Sequence, residues 1–527
     1  MGDTHLRQNI LFIIADQLTP LAMGAYGNPA VKTPNLDRLA AQSARFDAAY
    51  TPVPLCSPAR AAMCAGRYGS RIGAYDNSSL FPADVPTYAH YLTNMGYDVV
   101  ASGKMHFIGP DQLHGHRARL TTNIYPADFS WVRSRAWEGK PVSFPDRLGP
   151  AYDRGGPDNG HGMGRRRWNW HLEYDERTHY AALEYLRRQV RDEWYEGNDD
   201  GERQPFFLSV SYHHPHQPFQ VPQKYWDLYE GVEIPIPDIP EDIEKTWSQL
   251  DRWLHSSHGL DKKNIATPEN LRLMHRCYYG LVSYIDDLVG DLLTALDDLG
   301  LRESTTVVFA SDHGEMLGTR GMIQKRCFYE QSVRVPLLIR RPGAAGGITV
   351  SDPVSLVDLL PTFAAIAGYP PGDMAPTDGI SLLPYFEGAA HPDRVVFAEQ
   401  HSDGVYGPSF MVRKGRYKYI HIHDHDSQLF DMQTDPEEWT NLVGRPDMAV
   451  TELELRTLLL NSFDASAIDR EISDSIERRL IIEAAMKING SSWDYAPTED
   501  VTSLYNRQRH PAPEAASKAP YLKQTRP

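Results

Sequence analysis

The chain has 527 residues, 41% apolar and 23% charged, with 53 Lys and Arg against 69 Asp and Glu for a formal net charge of −16. That apolar content supports a sizeable core and excludes disorder throughout. The acidic balance excludes nucleic acid as a partner, since phosphate neutralisation needs a cationic face, although a local positive pocket can still hold a small anion.

Four cysteines, Cys56, Cys64, Cys277 and Cys327, are too few for a disulfide framework in so long a chain, and a reduced, cytoplasmic setting is the simpler reading. The first apolar run, 10–15, ends at Asp16 after six residues. A bilayer span needs ~20, so neither a membrane partner nor a secretory leader is expected.

Residues 9–15 form an unpunctuated, β-branched run closed by Asp16-Gln17. This is the pattern of a strand buried on both faces of a parallel sheet, with polar groups at its carboxyl end. Residues 34–43 read as a helix with Thr33 as N-cap and Pro34 in the first turn. An alanine-rich helix over 59–66 follows Cys56-Ser57-Pro58, a third spans 87–95, and 97–101 returns as a strand. This order predicts a layered α/β fold. Residues 132–170, rich in Gly, Pro and Arg, form a long insertion, either plain surface or a lid or subunit contact over the site.

Strands predicted at 206–211, 305–310 and 335–340 each run into a polar loop, and a long amphipathic helix over 268–299 precedes the second. Open α/β sheets build their sites at such strand ends. From about 385 the texture changes: short strands at 395–399, 409–414 and 416–423 predict a small antiparallel sheet, with helices at 453–460 and 472–486. The proline-dotted tail from Tyr495 is either disordered or draped over a neighbour. The expected division is a catalytic α/β domain over 1–385, a small sheet subdomain over 386–470 and a helical extension with a tail over 471–527.

The sharpest chemical signal is Cys56-Ser57-Pro58-Ala59-Arg60, continued by Ala61-Ala62-Met63-Cys64-Ala65-Gly66-Arg67, in a loop that opens a helix. With its companions elsewhere, this motif resembles type I sulfatases of the alkaline-phosphatase superfamily, over about residues 8–445. The resemblance implies a mixed, mostly parallel sheet sandwiched by helices, with a smaller C-terminal antiparallel sheet. It also implies that a formylglycine-generating maturation enzyme oxidises Cys56 to Cα-formylglycine.

The chemistry explains the residue types. A hydrated aldehyde carries two geminal hydroxyls: one attacks sulfur to give a covalent sulfated hemiacetal, and the other, once deprotonated, expels sulfate. A hard step is thereby split in two. A helix N-terminus adds partial positive charge and free N–H groups, and Arg60, one turn in, can neutralise the nucleophile. A divalent cation lowers the nucleophile's pKa and binds a sulfate oxygen. Asp16, Gln17, Asp312 and His313 stand at the metal-ligand positions that the resemblance implies. Gln17, where many sulfatases carry a second Asp, lowers the ligand charge by one. Oxygen-rich ligation favours Ca²⁺, with Mg²⁺ or Mn²⁺ as alternatives.

By the same resemblance Lys104 binds sulfate and His106 is the base that triggers elimination, both in Ser102-Gly103-Lys104-Met105-His106. His216, in His213-His214-Pro215-His216-Gln217-Pro218, and Lys325 face the bridging oxygen and serve the leaving alcohol. His213 and His214 either line the pocket or stabilise the loop, and His214 is counted among the substrate-binding candidates.

A narrower resemblance, carried by residues 103–115 and 120–131 with Tyr75-Asp76-Asn77, is to the choline-sulfatase branch. That branch holds a quaternary ammonium with an aromatic residue and a carboxylate. Trp131 is the aromatic candidate and Asp403 the carboxylate. Arg133, Arg135, Arg147 and Arg154 follow Trp131; facing inward, they would favour an anionic or aromatic ester instead. The expected activity is hydrolysis of a small sulfate ester such as choline O-sulfate, by a homo-oligomer, dimer or tetramer, using its C-terminal extension. The competing readings are an arylsulfatase, a phosphonate or phosphate ester hydrolase on the same scaffold, and an anion-binding relative that never matures Cys56.

Overall fold

The computed structural model describes residues 8–132, 163–191, 204–257 and 267–497. Its centre is an eight-stranded sheet. In chain order the strands are β1 (Asn9–Asp16), β2 (Ala44–Phe46), β3 (Asp98–Gly103), β4 (Ala118–Arg119), β5 (Phe206–Pro215), β6 (Thr305–Ser311), β7 (Leu337–Arg340) and β8 (Ile348–Val350). Across the sheet they run β8-β2-β7-β6-β1-β5-β3-β4. Strand β1 is parallel to both neighbours, with Ile13 level with Val210 on one side and Phe309 on the other.

The continuous apolar run of β1 is explained by what covers its two faces. Leu11, Ile13 and Ala15 pack with α1 (Pro34–Ala41), α4 (Trp170–Arg188) and the long α5 (Pro268–Asp298). Ile10, Phe12 and Ile14 face the other way, against α2 (Cys56–Ala65), α3 (Tyr88–Asn94) and α6 (Leu359–Ile366). Alternation along a strand distributes these residues between two helical layers, so both parities must be apolar. Among the described residues no helix is long and apolar enough to cross a membrane.

Two elements differ from the sequence expectation. The strand expected at 335–340 is shorter and antiparallel to both β2 and β6, which puts Arg341 at the opposite end of the sheet from the polar loops. The helix expected to open at Ala59 already opens at Cys56. The insertion expected at 132–170 lies outside the described residues between 133 and 162, together with Arg133, Arg135, Arg147 and Arg154, as does the tail beyond 497.

A second sheet is an antiparallel meander of β9 (Val395–Gln400), β10 (Ser409–Lys414), β11 (Tyr417–Ile422) and β12 (Ser427–Asp431). One face packs on Tyr50, Met316 and Phe328 of the larger layer, and the other on α7 (Ala449–Ser462) and α8 (Ala465–Asn489). Helix α8 is fastened back by Arg479, whose guanidinium holds both oxygens of buried Asp76, at 2.7 and 2.8 Å.

Candidate active site

Parallel pairing brings the carboxyl ends of the central strands level: Ala15 lies beside Ser311, and Gly103 beside Ser211. Asp16 ends β1, Lys104 follows β3, the histidines end β5, and Asp312-His313 follow β6. Helix α2 delivers Cys56 to the same place. Cys56 is 2% exposed, with Sγ 3.1 Å from His313 Nε2 and 4.0 Å from Asp16 Oδ1.

The helix start offers fewer donors than its position suggests. Ser57 N–H is taken by Asn77 Oδ1 at 3.0 Å, Pro58 has no N–H, and Ala59 N–H already bonds Leu55 C=O. The positive character around Cys56 comes instead from side chains. Burial alone would push its thiol up, but the ammonium groups of Lys104 and Lys325 outweigh burial and bring it down to about 7.

Arg60 organises the acids. Its Nε donates to Asp312 Oδ2 at 2.8 Å and one terminal nitrogen to Ser211 Oγ at 2.7 Å and to Lys104 C=O. The other terminal nitrogen is buried without a hydrogen-bond partner, 3.8 Å from Asp16 Oδ2. Lys104 Nζ bonds Asp16. Burial would raise the Asp16 carboxyl, but Lys104 and Arg60 hold it down to about 2. Gln17 gives both amide hydrogens away, to Gln217 and Glu315, which leaves its Oε1 facing Lys325 Nζ.

Ligand atoms of Asp16, Cys56, Asp312 and His313 lie within 4.8 Å of one another. His313 Nδ1 donates to Gly314 C=O at 3.1 Å, which fixes the tautomer and leaves the Nε2 lone pair facing this cluster. Two carboxylates and an imidazole lone pair beside Cys56 form a donor set that fits a divalent cation, while the Gln17 amide oxygen faces Lys325.

An aromatic wall stands over Lys104. Its Nζ lies 4.6 Å from the centroid of the Tyr125 ring, which packs on Trp131 at 4.9 Å. His106 packs against both rings, and neither of its buried nitrogens has a partner. His213 and His216 complete the wall, their ring centroids 4.8 Å apart and 5.9 and 6.2 Å from Tyr125. Burial, with Lys104 beside it, holds His106 far below its ordinary value, and burial with Lys325 does the same to His216.

The remaining candidates sit further back. His214 turns Nδ1 to Asp175 Oδ2 at 2.6 Å and packs its ring on Tyr284. Asp403 receives Asn77 N–H at 3.4 Å, one step from the start of α2. Gln17, His106 and Asp403 are all non-glycine residues with positive φ, at 64°, 55° and 55°, as are Gln324 and Arg326 flanking Lys325. Such strain gathers at functional sites.

The sequence reading missed Tyr125, Asn77, Ser211, Glu315 and Asp175 as functional candidates. Tyr125 and Asn77 lie within the stretches already singled out, and Glu315 follows Asp312 by three residues. Nothing in the local pattern distinguishes Asp175.

Residues 8–369 match the sulfatase family model, and 318–464 match a model for the C-terminal part of N-sulphoglucosamine sulphohydrolase. The chain belongs to the sulfatase family, in the alkaline-phosphatase superfamily, and is an enzyme of that class. Within the family it is similar to the choline-sulfatase of Rhizobium meliloti (strain 1021), with 38% identity covering 95% of this chain and 96% of the relative. It is 28% identical to the arylsulfatase of Clostridium perfringens, covering 87% of this chain and 95% of that one. Among solved structures, the phosphonate monoester hydrolase of Agrobacterium radiobacter matches with a TM-score of 0.67 and 26% identity, covering 86% of this chain and 95% of that one.

Proposed function

We propose that the enzyme hydrolyses a small sulfate monoester, choline O-sulfate as the leading candidate, through a formylglycine formed from Cys56 and with a divalent metal, Ca²⁺ preferred. The observation that carries this is the buried convergence of Cys56, Asp16, Asp312, His313, Lys104, Lys325 and Arg60. Choline as the alcohol rests on the similarity to the Rhizobium meliloti enzyme and on the Tyr125–Trp131 wall, whose π faces attract a cation.

Each side chain has a distinct task. Asp16, Gln17, Asp312 and His313 would hold the cation, which supplies Lewis-acid polarisation of the ester and a more acidic nucleophile. The geminal hydroxyls of the matured residue supply a nucleophile and a way to release sulfate without water attacking sulfur. Lys104, Lys325 and Arg60 bind the anionic ester and the charge that develops on it. His216 donates Nδ1–H to Gln217 C=O at 2.8 Å, leaving Nε2 as its proton-carrying atom. A bound anion opposes the lysine charges that keep His216 neutral, so proton uptake at Nε2 is favoured in the complex, where the leaving alkoxide needs a proton. His106, with both nitrogens unpartnered, is the base for sulfate release.

The comparison with the Agrobacterium radiobacter enzyme supports a second reading, phosphonate ester hydrolysis at the same site. Steady-state kinetics of the matured protein on choline O-sulfate, an aryl sulfate and an aryl phosphonate decides between them. The highest kcat/KM is expected for a sulfate ester; a phosphonate preference overturns the proposal. Peptide mapping by mass spectrometry tests the nucleophile, and an unmodified Cys56 after co-expression with a formylglycine-generating enzyme overturns it.

The expected domain limits at 385 and 470 and a homo-oligomer formed through the C-terminal extension belong to this proposal. Four free, buried thiols support a reducing, cytoplasmic setting.

A further inference from the structure

Strand β5 leaves its ladder at the active site. Tyr212 still pairs with Ala15, but Asp16 pairs with Pro215, so His213 and His214 are looped out of register against β1. Both are fully buried. Buried backbone N–H groups need acceptors wherever the ladder is broken.

One carboxylate, from another layer of the fold, receives both. Asp175 of α4 is 0% exposed. Its Oδ1 accepts His213 N–H at 2.6 Å, and its Oδ2 accepts His214 N–H at 3.0 Å and the His214 ring Nδ1–H at 2.6 Å. Three donors on one carboxyl side chain make a short-range clamp. The loop continues directly into the catalytic wall: His213 C=O accepts His216 N–H at 3.2 Å, and the His213 ring stacks on His171 at 4.7 Å while lying 4.8 Å from His216. Gln217, next in the chain, accepts the Gln17 amide at 2.6 Å.

From this geometry we infer that Asp175 is a positioning residue for His216: it replaces the missing ladder bonds and so sets where the proton-donating imidazole stands. The inference rests on the reading of His216 as the acid for the leaving alcohol. Within it, His214 is the third ligand of the clamp, and its ring serves Asp175 instead of the substrate. Misplacing a catalytic group by ~1 Å costs on the order of 10²-fold in rate, and a general acid contributes ~10²–10⁴-fold.

The test uses matured, metal-loaded full-length protein and a series of sulfate esters whose leaving alcohols range from p-nitrophenol to an alkanol. Asp175→Asn, His216→Gln and the double variant are compared with the parent. Asp175→Asn should lower kcat by roughly 10–100-fold for the alkyl ester and by less than about 3-fold for the p-nitrophenyl ester, with KM nearly unchanged. The plot of log kcat against leaving-group pKa then steepens. His216→Gln should steepen it further, and the double variant should be no worse than His216→Gln alone.

An equal loss on every ester in Asp175→Asn, or a double variant whose defect is the product of the two singles, overturns the positioning role. If His216→Gln steepens the plot and Asp175→Asn does not, only the positioning role fails; if His216→Gln leaves the slope unchanged, the acid assignment fails and takes the inference with it. Should Asp175→Asn not fold, Asp175→Glu, which keeps the charge and shifts it by one methylene, must show the same steepening in smaller measure, and an unchanged slope there is equally fatal.

Discussion

Among the described residues, two of the buried charge clusters are built on opposite terms. Under the small sheet, Lys418 is fully buried and its ammonium is held by protein oxygens: it donates to Phe328 C=O and Glu330 Oε1, both at 2.8 Å, and forms an ion pair with Glu438 Oε1 at 2.5 Å. At the active site Arg60 keeps one terminal nitrogen unpartnered, and both His106 nitrogens are unpartnered. Saturated charge rigidifies a seam; unsaturated charge, held in place by its neighbours, is capacity kept for a ligand. Burial by itself does not separate a structural cluster from a reactive one.

The contrast can be broken most directly at Cys56, the proposed nucleophile. Cys56→Ala should abolish turnover while leaving the thermal midpoint near that of the parent, since only weak thiol contacts to His313 and Asp16 are lost. A large fall in Tm would place Cys56 with the structural group. Next in size, Lys418→Met should destabilise by ~3–5 kcal/mol in denaturant unfolding, because it strands two buried carboxylates. Unchanged stability there would dissolve the distinction from the other side.

Trp131→Ala probes the site's spare capacity more finely. Loss of a cation–π contact of ~0.5–2 kcal/mol should raise KM for choline O-sulfate roughly 2–30-fold and spare a neutral aryl sulfate. Equal effects on both esters would remove the wall from choline binding.

The smallest effect sharpens the account of the Lys418 cluster. One ammonium serves two acids: burial would raise Glu330, which Lys418 holds down, while burial leaves Glu438 pushed up from 4.5 to about 7. With its folded value raised, Glu438 contributes stability that is present below pH 4.5 and is lost as pH rises through about 7. Glu438→Gln cannot ionise, so its stability relative to the parent should improve steadily across that window. A flat difference in Tm from pH 4.5 to 7.5 would refute the assignment.

Much of the fold is legible in the sequence because it is locally coded. The unbroken run of β1 announces a strand covered on both faces, and Cys56-Ser57-Pro58-Ala59-Arg60 announces a helix start. The short β2 and β8 and the reversed direction of β7 are not legible, since three or four residues carry no period and strand direction is decided by the partners. The ends of β1, β3, β5 and β6 could be named from residue type, and the structure brings those side chains together. Their supports could not. Asp175 sits at an ordinary position on an amphipathic helix, and its importance arises from a break in a distant ladder. Asn77 likewise acquires meaning only from Ser57 and Asp403 on either side of it.

The link between Arg479 and Asp76 closes a loop of 403 residues. Asp76 adjoins Asn77, which braces the first turn of α2. On a ribosome adding ~5–20 residues per second, the clamp on that brace cannot exist until about 20–80 s after Asp76 has been made. For that interval the thiol that ends 2% exposed stands in an unfinished setting. The maturation proposed for Cys56 would have its window during synthesis, and the last of the described helices to emerge is the one that shuts it.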